Sequence, residues 1–155
     1  MPKRYTSKSL ITMAYEYGWE LVSIKGSHHN FKHKESRFIL TIKHPSERHT
    51  CRQSCGYSQK NQIGGKMMRF FITLEKTDTG YSVQVPDLAI ITYGKTIDDA
   101  KNEAADAIRI NLESYYDAAI DVPFPLSPLK HIENPDFTDL LFAFVNVSEP
   151  EKNAA

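Results

Sequence analysis

The stretch from Glu47 to Met68 constrains the fold most, because it separates two patterned segments and has no hydrophobic periodicity of its own. Apart from Tyr57 and Ile63, it offers no large side chain to bury before the double methionine at its end. Such a stretch cannot supply one apolar face of a helix or strand. We therefore expect two small folded segments joined by a disordered linker.

The two segments carry opposite charge. Residues 1–66 contain 12 Lys and Arg against 4 Asp and Glu, and residues 67–155 contain 7 against 15, so the net charge of zero joins +8 to −8. A basic segment suggests an anionic ligand such as RNA, and an acidic one suggests a partner that covers such a site. The alternative is that the charges merely solvate two faces.

The sequence also bears on the compartment. No run reaches the roughly 18 apolar residues typical of a membrane span, and no apolar signal region follows Met1. We expect a soluble, cytoplasmic protein, in which the two cysteines need not form a disulfide.

The N-terminal segment predicts one helix and three strands. Ser7 can cap a helix over residues 7–17, which Gly18 can end in the left-handed conformation. Alternation with a period of two predicts strands over residues 19–25, 29–33 and 37–43. One short helix covers one sheet face and leaves the other face in need of cover.

The chemistry of this segment is concentrated in the run from Lys25 to His29. Gly26 permits a bend at the strand end, and the imidazole of His28 or His29 can exchange protons near neutral pH. Lys25 and Lys32 can hold phosphates. RNA cleavage without a metal needs such a base and such cations, but two adjacent histidines on a strand edge are also compatible with an ordinary polar surface.

The run LITMAYEYGWELVSIKGSHHNFKH, followed by ILTIKHP, resembles the HicA family of bacterial toxins over about residues 7–45. The resemblance implies a fold like the double-stranded RNA-binding domain and cleavage of messenger RNA without a cofactor or metal. It assigns the catalytic role to His28 and supporting roles to Lys25, Ser27 and His29. Together with Lys32, these supporting residues are expected to contact RNA. The family continues into a final helix that this chain lacks after His44-Pro45. Residues 1–46 are therefore expected to be a toxin fragment of little activity, with one sheet face exposed.

A change of reading frame explains the missing helix. One permitted choice of codons for residues 47–66, read from the second nucleotide, encodes KDIPVGKVVAIRKRIK and then a stop. This peptide restores the loop and basic helix that the HicA family has there. Gly64-Gly65 is compatible with a ribosome-binding sequence before Met67. The hypothesis is that a frameshift near Ser46 joined two adjacent genes, which makes residues 47–67 a linker translated out of frame.

A second interpretation of the linker is a metal site formed by His49, Cys51 and Cys55. Closed zinc sites use four ligands at characteristic spacing, and a single Cys-x3-Cys with one histidine falls short of that.

The C-terminal segment predicts three strands, a long helix and a last strand. Residues 70–75 and 81–85 flank a hairpin turn that ends at Gly80, and residues 89–93 form a third strand. Thr96 can cap a helix that extends to about Tyr116, and residues 140–147 alternate as a strand. Five residues form the expected buried stripe of the helix: Ala100, Ala104, Ala107, Ile108 and Leu112.

The run EKTDTGYSVQVPDL and the helix start TIDDA resemble the HicB antitoxin family over about residues 68–147. The resemblance implies a partial ribonuclease-H-like fold for residues 68–148 and an antitoxin function, in which the domain binds a HicA-type toxin and covers its RNA-binding face. No basic helix or ribbon is seen in the tail, residues 149–155, so autonomous DNA binding is not expected. We also expect self-association through a sheet edge or the last strand.

A ribonuclease H enzyme would need several carboxylates that converge on two metal ions. Asp87, Asp98 and Asp99 are candidates, but the last two are also explained as acids in the first turn of a helix.

Overall fold

A computed structural model describes residues 5–44, 67–123 and 127–149. The chain forms a mixed α+β structure around one seven-stranded sheet, in which both segments take part. The strands, β1 to β7 in chain order, are Glu20–Lys25, His28–Lys32, Ile39–Lys43, Met67–Thr77, Gly80–Val85, Ile90–Gly94 and Leu141–Ser148. The helices, α1 to α3, are Ser7–Glu16, Ile97–Asp117 and Pro128–Ile132.

The predicted order of elements is confirmed in both segments, with small changes at the ends. The residue that caps α1 is Thr6, not Ser7, because the Thr6 hydroxyl accepts a hydrogen bond from the Ser9 amide at 3.1 Å. Gly18 follows α1 with a positive φ of 85°, as predicted. Thr96 caps α2, as its position suggested, by accepting a hydrogen bond from the Asp99 amide at 3.1 Å. The short helix α3 was not predicted.

The sheet runs in the order β1-β2-β3-β6-β5-β4-β7. All neighbouring strands are antiparallel except β3 and β6, which are parallel and pair Thr41 with Ile90 and Ile42 with Ile91. The Thr41 amide also donates to the Ala89 carbonyl oxygen at 2.8 Å. This parallel pair joins the sheet of the N-terminal segment to that of the C-terminal segment.

Helix α2 packs on one face of this sheet across the junction. Its predicted apolar stripe is wholly buried, and it shares one core with Ile39 of β3 and with apolar residues of β4 to β7. Helix α1 lies on the N-terminal strands, where Ala14 packs with Phe31 and Ile42. The expectation that one face of the N-terminal sheet stays exposed is therefore wrong, since α2 contacts both β2 and β3. Within the described ranges, no helix is long and apolar enough to cross a membrane.

Two buried hydrogen bonds fix α2 against β3. The Tyr115 hydroxyl accepts from the Ile39 amide at 2.8 Å, and the Asn111 side chain donates to the Ile39 carbonyl oxygen at 2.8 Å. Both side chains are fully buried. A buried donor or acceptor without a partner costs about 1–3 kcal/mol, so these bonds oppose separation of the two segments.

Replacing Tyr115 by Phe should lower the free energy of unfolding by about 1–3 kcal/mol, because the Ile39 amide loses its partner in a dry environment. Urea unfolding followed by circular dichroism measures this change. Tyr17→Phe is the matched control, since the Tyr17 side chain is 71% exposed. Equal losses in the two variants would contradict a role for the Tyr115 hydroxyl.

Candidate functional site

The candidate site lies on the face of the N-terminal sheet that α2 covers. The register places Lys25 beside His28 and His28 beside Lys43, so these three residues form one row across β1, β2 and β3. Directly opposite residues in antiparallel strands share a face. The row thus brings a histidine and two cations together, as the sequence predicted for His28 and Lys25, and adds Lys43.

The other predicted site residues are dispersed. Lys32 is at an alternate position of β2 on the face of His28, opposite Ile39. His29 belongs to the opposite face, where its ring approaches that of His44 at 5.6 Å. Ser27 lies in the turn before β2, and its carbonyl oxygen accepts from the His44 amide at 2.7 Å. The structure therefore places His28, Lys25 and Lys32 on one face of the sheet and His29 on the other.

Acidic residues of α2 pair with the cations of the row. Lys25 Nζ is 2.8 Å from Glu113 Oε2 and 3.8 Å from an Asp117 oxygen. Lys43 Nζ is 3.0 Å from Glu103 Oε2. These pairs agree with the attraction that the opposite charges of the segments predict. Partly exposed ion pairs contribute about 0–1 kcal/mol each, so they orient α2 more than they hold it.

His28 is buried beneath α2, with 4% of its surface exposed. Burial, above all, and then the nearby Lys43 lower the pKa of His28 from 6.5 to about 4. The imidazole is therefore neutral at pH 7, and its contact with Glu103, 3.9 Å away, is not an ion pair at that pH. Among the described residues, Nε2 has no hydrogen-bond partner. A neutral imidazole can accept a proton, but in this arrangement no RNA hydroxyl can reach it.

A chain of hydrogen bonds, of which the first two are buried and the last is partly buried, extends from α2 across the three N-terminal strands. The Asn111 side chain donates to Thr41 Oγ1 at 2.8 Å, and the Thr41 hydroxyl donates to Asn30 Oδ1 at 2.7 Å. The Asn30 amide donates in turn to Ser23 Oγ at 3.0 Å. Sequence reasoning missed this network, although a lone asparagine within the apolar stripe of α2 is a signal that could have revealed it.

The carboxylates considered for a ribonuclease H site do not form a cluster. Asp87 is buried and pairs with His131 Nε2 at 2.7 Å. Asp98 and Asp99 are exposed in the first turn of α2, in agreement with their interpretation as residues of the helix start. In the part of the chain that the structure describes, no three His, Cys, Asp or Glu side chains are placed to hold a metal ion. The candidate ligands His49, Cys51 and Cys55 lie outside the described residues.

Comparison with protein families matches both segments to components of one kind of system. Residues 70–153 match a HicB-like antitoxin of a bacterial toxin–antitoxin system, and residues 7–49 match the HicA toxin of such a system. The two matches are consistent with a toxin-like segment that precedes an antitoxin domain. The antitoxin match spans more than half of the chain, and the chain belongs to the HicB-like antitoxin family.

Three solved structures are each similar to about half of the chain. The antitoxin HicB of Burkholderia pseudomallei is 32% identical, with 50% of this chain and 61% of that chain covered and a TM-score of 0.46. The N-terminal domain of that antitoxin is 31% identical, with 50% and 95% covered and a TM-score of 0.45. A chain of the HicA3 and HicB3 toxin–antitoxin complex is 24% identical, with 52% and 99% covered and a TM-score of 0.48.

The chain thus spans about three fifths of the length of the first of these structures. The search of curated proteins gave no match.

The depressed pKa of His28 predicts a loss of stability in acid. Below pH 6.5 the unfolded chain binds a proton on His28 that the folded chain does not bind until about pH 4, so the free energy of unfolding falls through this window. At about 1.4 kcal/mol per pKa unit, the effect amounts to about 3 kcal/mol. Urea unfolding at pH 7 and pH 4.5 should therefore show a larger loss for the wild type than for His28→Gln. Equal losses would contradict the burial of a neutral imidazole.

Proposed function

We propose that this chain acts as a HicB-type antitoxin, which neutralises a HicA-type messenger-RNA interferase by covering the basic, histidine-containing face of the toxin. One observation carries the proposal: α2 of the antitoxin domain lies over Lys25, His28 and Lys43 of the toxin-like segment and pairs both lysines with carboxylates. The family match of residues 70–153 supports the same function.

Covering this face would stop RNA cleavage in two ways. A general base must come within about 3 Å of the 2′-hydroxyl group. His28 cannot do so beneath α2, because only 4% of its surface is exposed. Cations that are paired with Glu103 and Glu113 are also less available to phosphates. Charge complementarity between an acidic helix and a basic sheet would further favour encounter with the correct partner.

The proposal includes an organisation of the chain. Residues 1–46 are a HicA-type fragment related to the double-stranded RNA-binding domain, and residues 68–148 are an antitoxin domain with a partial ribonuclease-H-like fold, followed by a tail at 149–155. Residues 47–67 are the out-of-frame remainder of the toxin gene, and they lie almost wholly outside the described residues. Sequencing of the locus tests this, because codons that do not encode the toxin helix in the second frame would defeat it.

A second candidate function is a HicA-type ribonuclease that the antitoxin domain restrains. The match of residues 7–49 to the toxin family favours it. In this function His28 is the base that takes the 2′-hydroxyl proton, and Lys25, Ser27, His29 and Lys32 contact messenger RNA. His29 would act from the opposite face of the sheet, which makes it the weakest member of the set.

A cleavage assay on messenger RNA separates the two functions. We expect no cleavage by the wild-type chain, and the same result for His28→Ala, because α2 covers the base. Cleavage by the wild type that His28→Ala abolishes would establish the ribonuclease function in place of the antitoxin-only one.

Neutralisation is tested with an active toxin. In excess, the wild-type chain should suppress cleavage by a HicA-type toxin, and the double variant Glu103→Lys/Glu113→Lys should suppress it at least tenfold less well, because it sets like charges against the toxin's cations. Glu133→Lys/Asp136→Lys changes the net charge equally at exposed positions and is the matched control. Equal suppression by both double variants would contradict recognition through α2.

The proposal extends to assembly. In the described sheet β7 is an edge strand, and it carries no charged residue between Leu141 and Ser148. Charges on an edge strand are one way in which proteins avoid pairing, so this edge is suited to a homo-oligomer.

A further inference from the structure

The junction between the two halves has the form of a strand-docking site. We infer that the β6 edge and the Asn111–Tyr115 face of α2 bind one strand of a HicA-type sheet, and that β3 of the same chain occupies this site, so that an intact toxin must displace β3. The inference rests on the proposed antitoxin function and adds the recognition residues and an intramolecular competitor.

The first step of the argument concerns the backbone. Without β3, strand β6 would be an edge of the antitoxin sheet, since its other neighbour is β5. Strand β3 adds to this edge in parallel over Thr41 and Ile42, with the Thr41 amide bound to the Ala89 carbonyl oxygen. An edge strand offers unpaired amides and carbonyls to any strand that fits beside it. Because this pairing spans only two residue pairs, further contacts must select the strand.

Helix α2 supplies the further contacts. It binds the amide and carbonyl of Ile39 through Tyr115 and Asn111, and these two bonds are available to any residue at that position. The bond from Asn111 to the Thr41 hydroxyl depends on the side chain. Asn111 and Thr41 are both wholly buried. A strand with an aliphatic residue in place of Thr41 would therefore deprive the Asn111 amide of this hydrogen bond, at a cost in binding free energy.

Ion pairs at the two ends of the row show where a partner sheet must carry positive charge. Glu103 binds the lysine that ends β3, and Glu113 binds a lysine two strands away. The site therefore fits a sheet whose docking strand has an aliphatic residue at its first position, a hydroxyl residue at its third and a lysine at its fifth, as in Ile39–Lys43. A second lysine must lie on the same face of that sheet. A toxin of the HicA type with this pattern is the partner that the chemistry selects.

The covalent connection gives β3 an advantage over such a partner. Strand β3 ends at Lys43 and β4 begins at Met67 of the same chain. A connected segment competes with an effective concentration on the order of millimolar. A separate toxin at micromolar concentration would therefore bind weakly while β3 remains in place. Variants of the N-terminal strands that weaken the docking of β3, and that leave α2 and β6 unchanged, should bind the toxin more tightly.

The test measures the dissociation constant of the full chain for an intact HicA-type toxin. The probe continues residues 1–46 with KDIPVGKVVAIRKRIK and carries His28→Ala, which removes the proposed catalytic base. In the antitoxin chain, Lys25→Glu sets like charges against Glu113 and Asp117 without altering α2 or β6. We expect Lys25→Glu to bind the toxin at least tenfold more tightly than the wild type does. The control, Lys34→Glu, reverses a charge at an exposed turn residue and should bind like the wild type.

A second variant makes a smaller change, in case Lys25→Glu disturbs the fold of the chain. Thr41→Val removes the hydroxyl that joins Asn111 to Asn30 and should give a smaller gain in affinity. Circular dichroism and thermal unfolding establish that each variant is folded before binding is measured. Measurable but equal affinity of the wild type, Lys25→Glu and Thr41→Val would overturn the intramolecular competition and leave the antitoxin function intact.

Two further outcomes test the site and the function separately. In the Lys25→Glu background, Asn111→Leu should abolish the gain, while Asn102→Leu, an exposed residue of the same helix, should keep it. A gain that survives Asn111→Leu would overturn the assignment of the docking surface. No binding by any folded variant would instead defeat the proposed antitoxin function, on which the inference rests.

Discussion

The parallel pairing of β3 with β6 under α2 is the contact on which the rest of the structure depends. It makes one sheet from strands of two segments with opposite charge, and it places α2 over both. The apolar stripe of α2 then covers the residues that the N-terminal strands leave in need of cover, including Ile39. If this pairing were absent, β6 and β3 would both be edges, and the face that holds His28 would be open.

The buried contacts and the ion pairs have different effects at the junction between β3, β6 and α2. The buried contacts of Ile39, Asn111 and Tyr115 exclude water and pair both the amide and the carbonyl of Ile39, so they stabilise this arrangement against separation of the two segments. The ion pairs of Lys25 and Lys43 are partly exposed and add little stability, but they neutralise the two cations beside His28. Burial also keeps that histidine neutral at physiological pH. Both effects oppose the chemistry expected of an exposed toxin face.

The elements themselves were accessible from local patterns. Periods of two and 3.6 residues located the strands and α2, and the Thr96 cap followed from its position before the first apolar residues of that helix. At α1 the same reasoning named Ser7, whereas the cap is Thr6, because both hydroxyls are suited to capping and only the backbone conformation decides between them. The row of Lys25, His28 and Lys43 was found in part, since Lys43 joins it only through the register of β2 with β3.

By itself, the sequence determined the two family resemblances, the order of the elements and the opposite charges of the segments, because each of these is written in neighbouring residues or in simple counts. The tertiary structure alone decided that β3 pairs with β6, that Asn111 binds Thr41, and that α2 buries His28. Those contacts join residues far apart in the chain. Their geometry arises when strand edges pair and most buried polar groups find partners in the same structure, which no local pattern encodes.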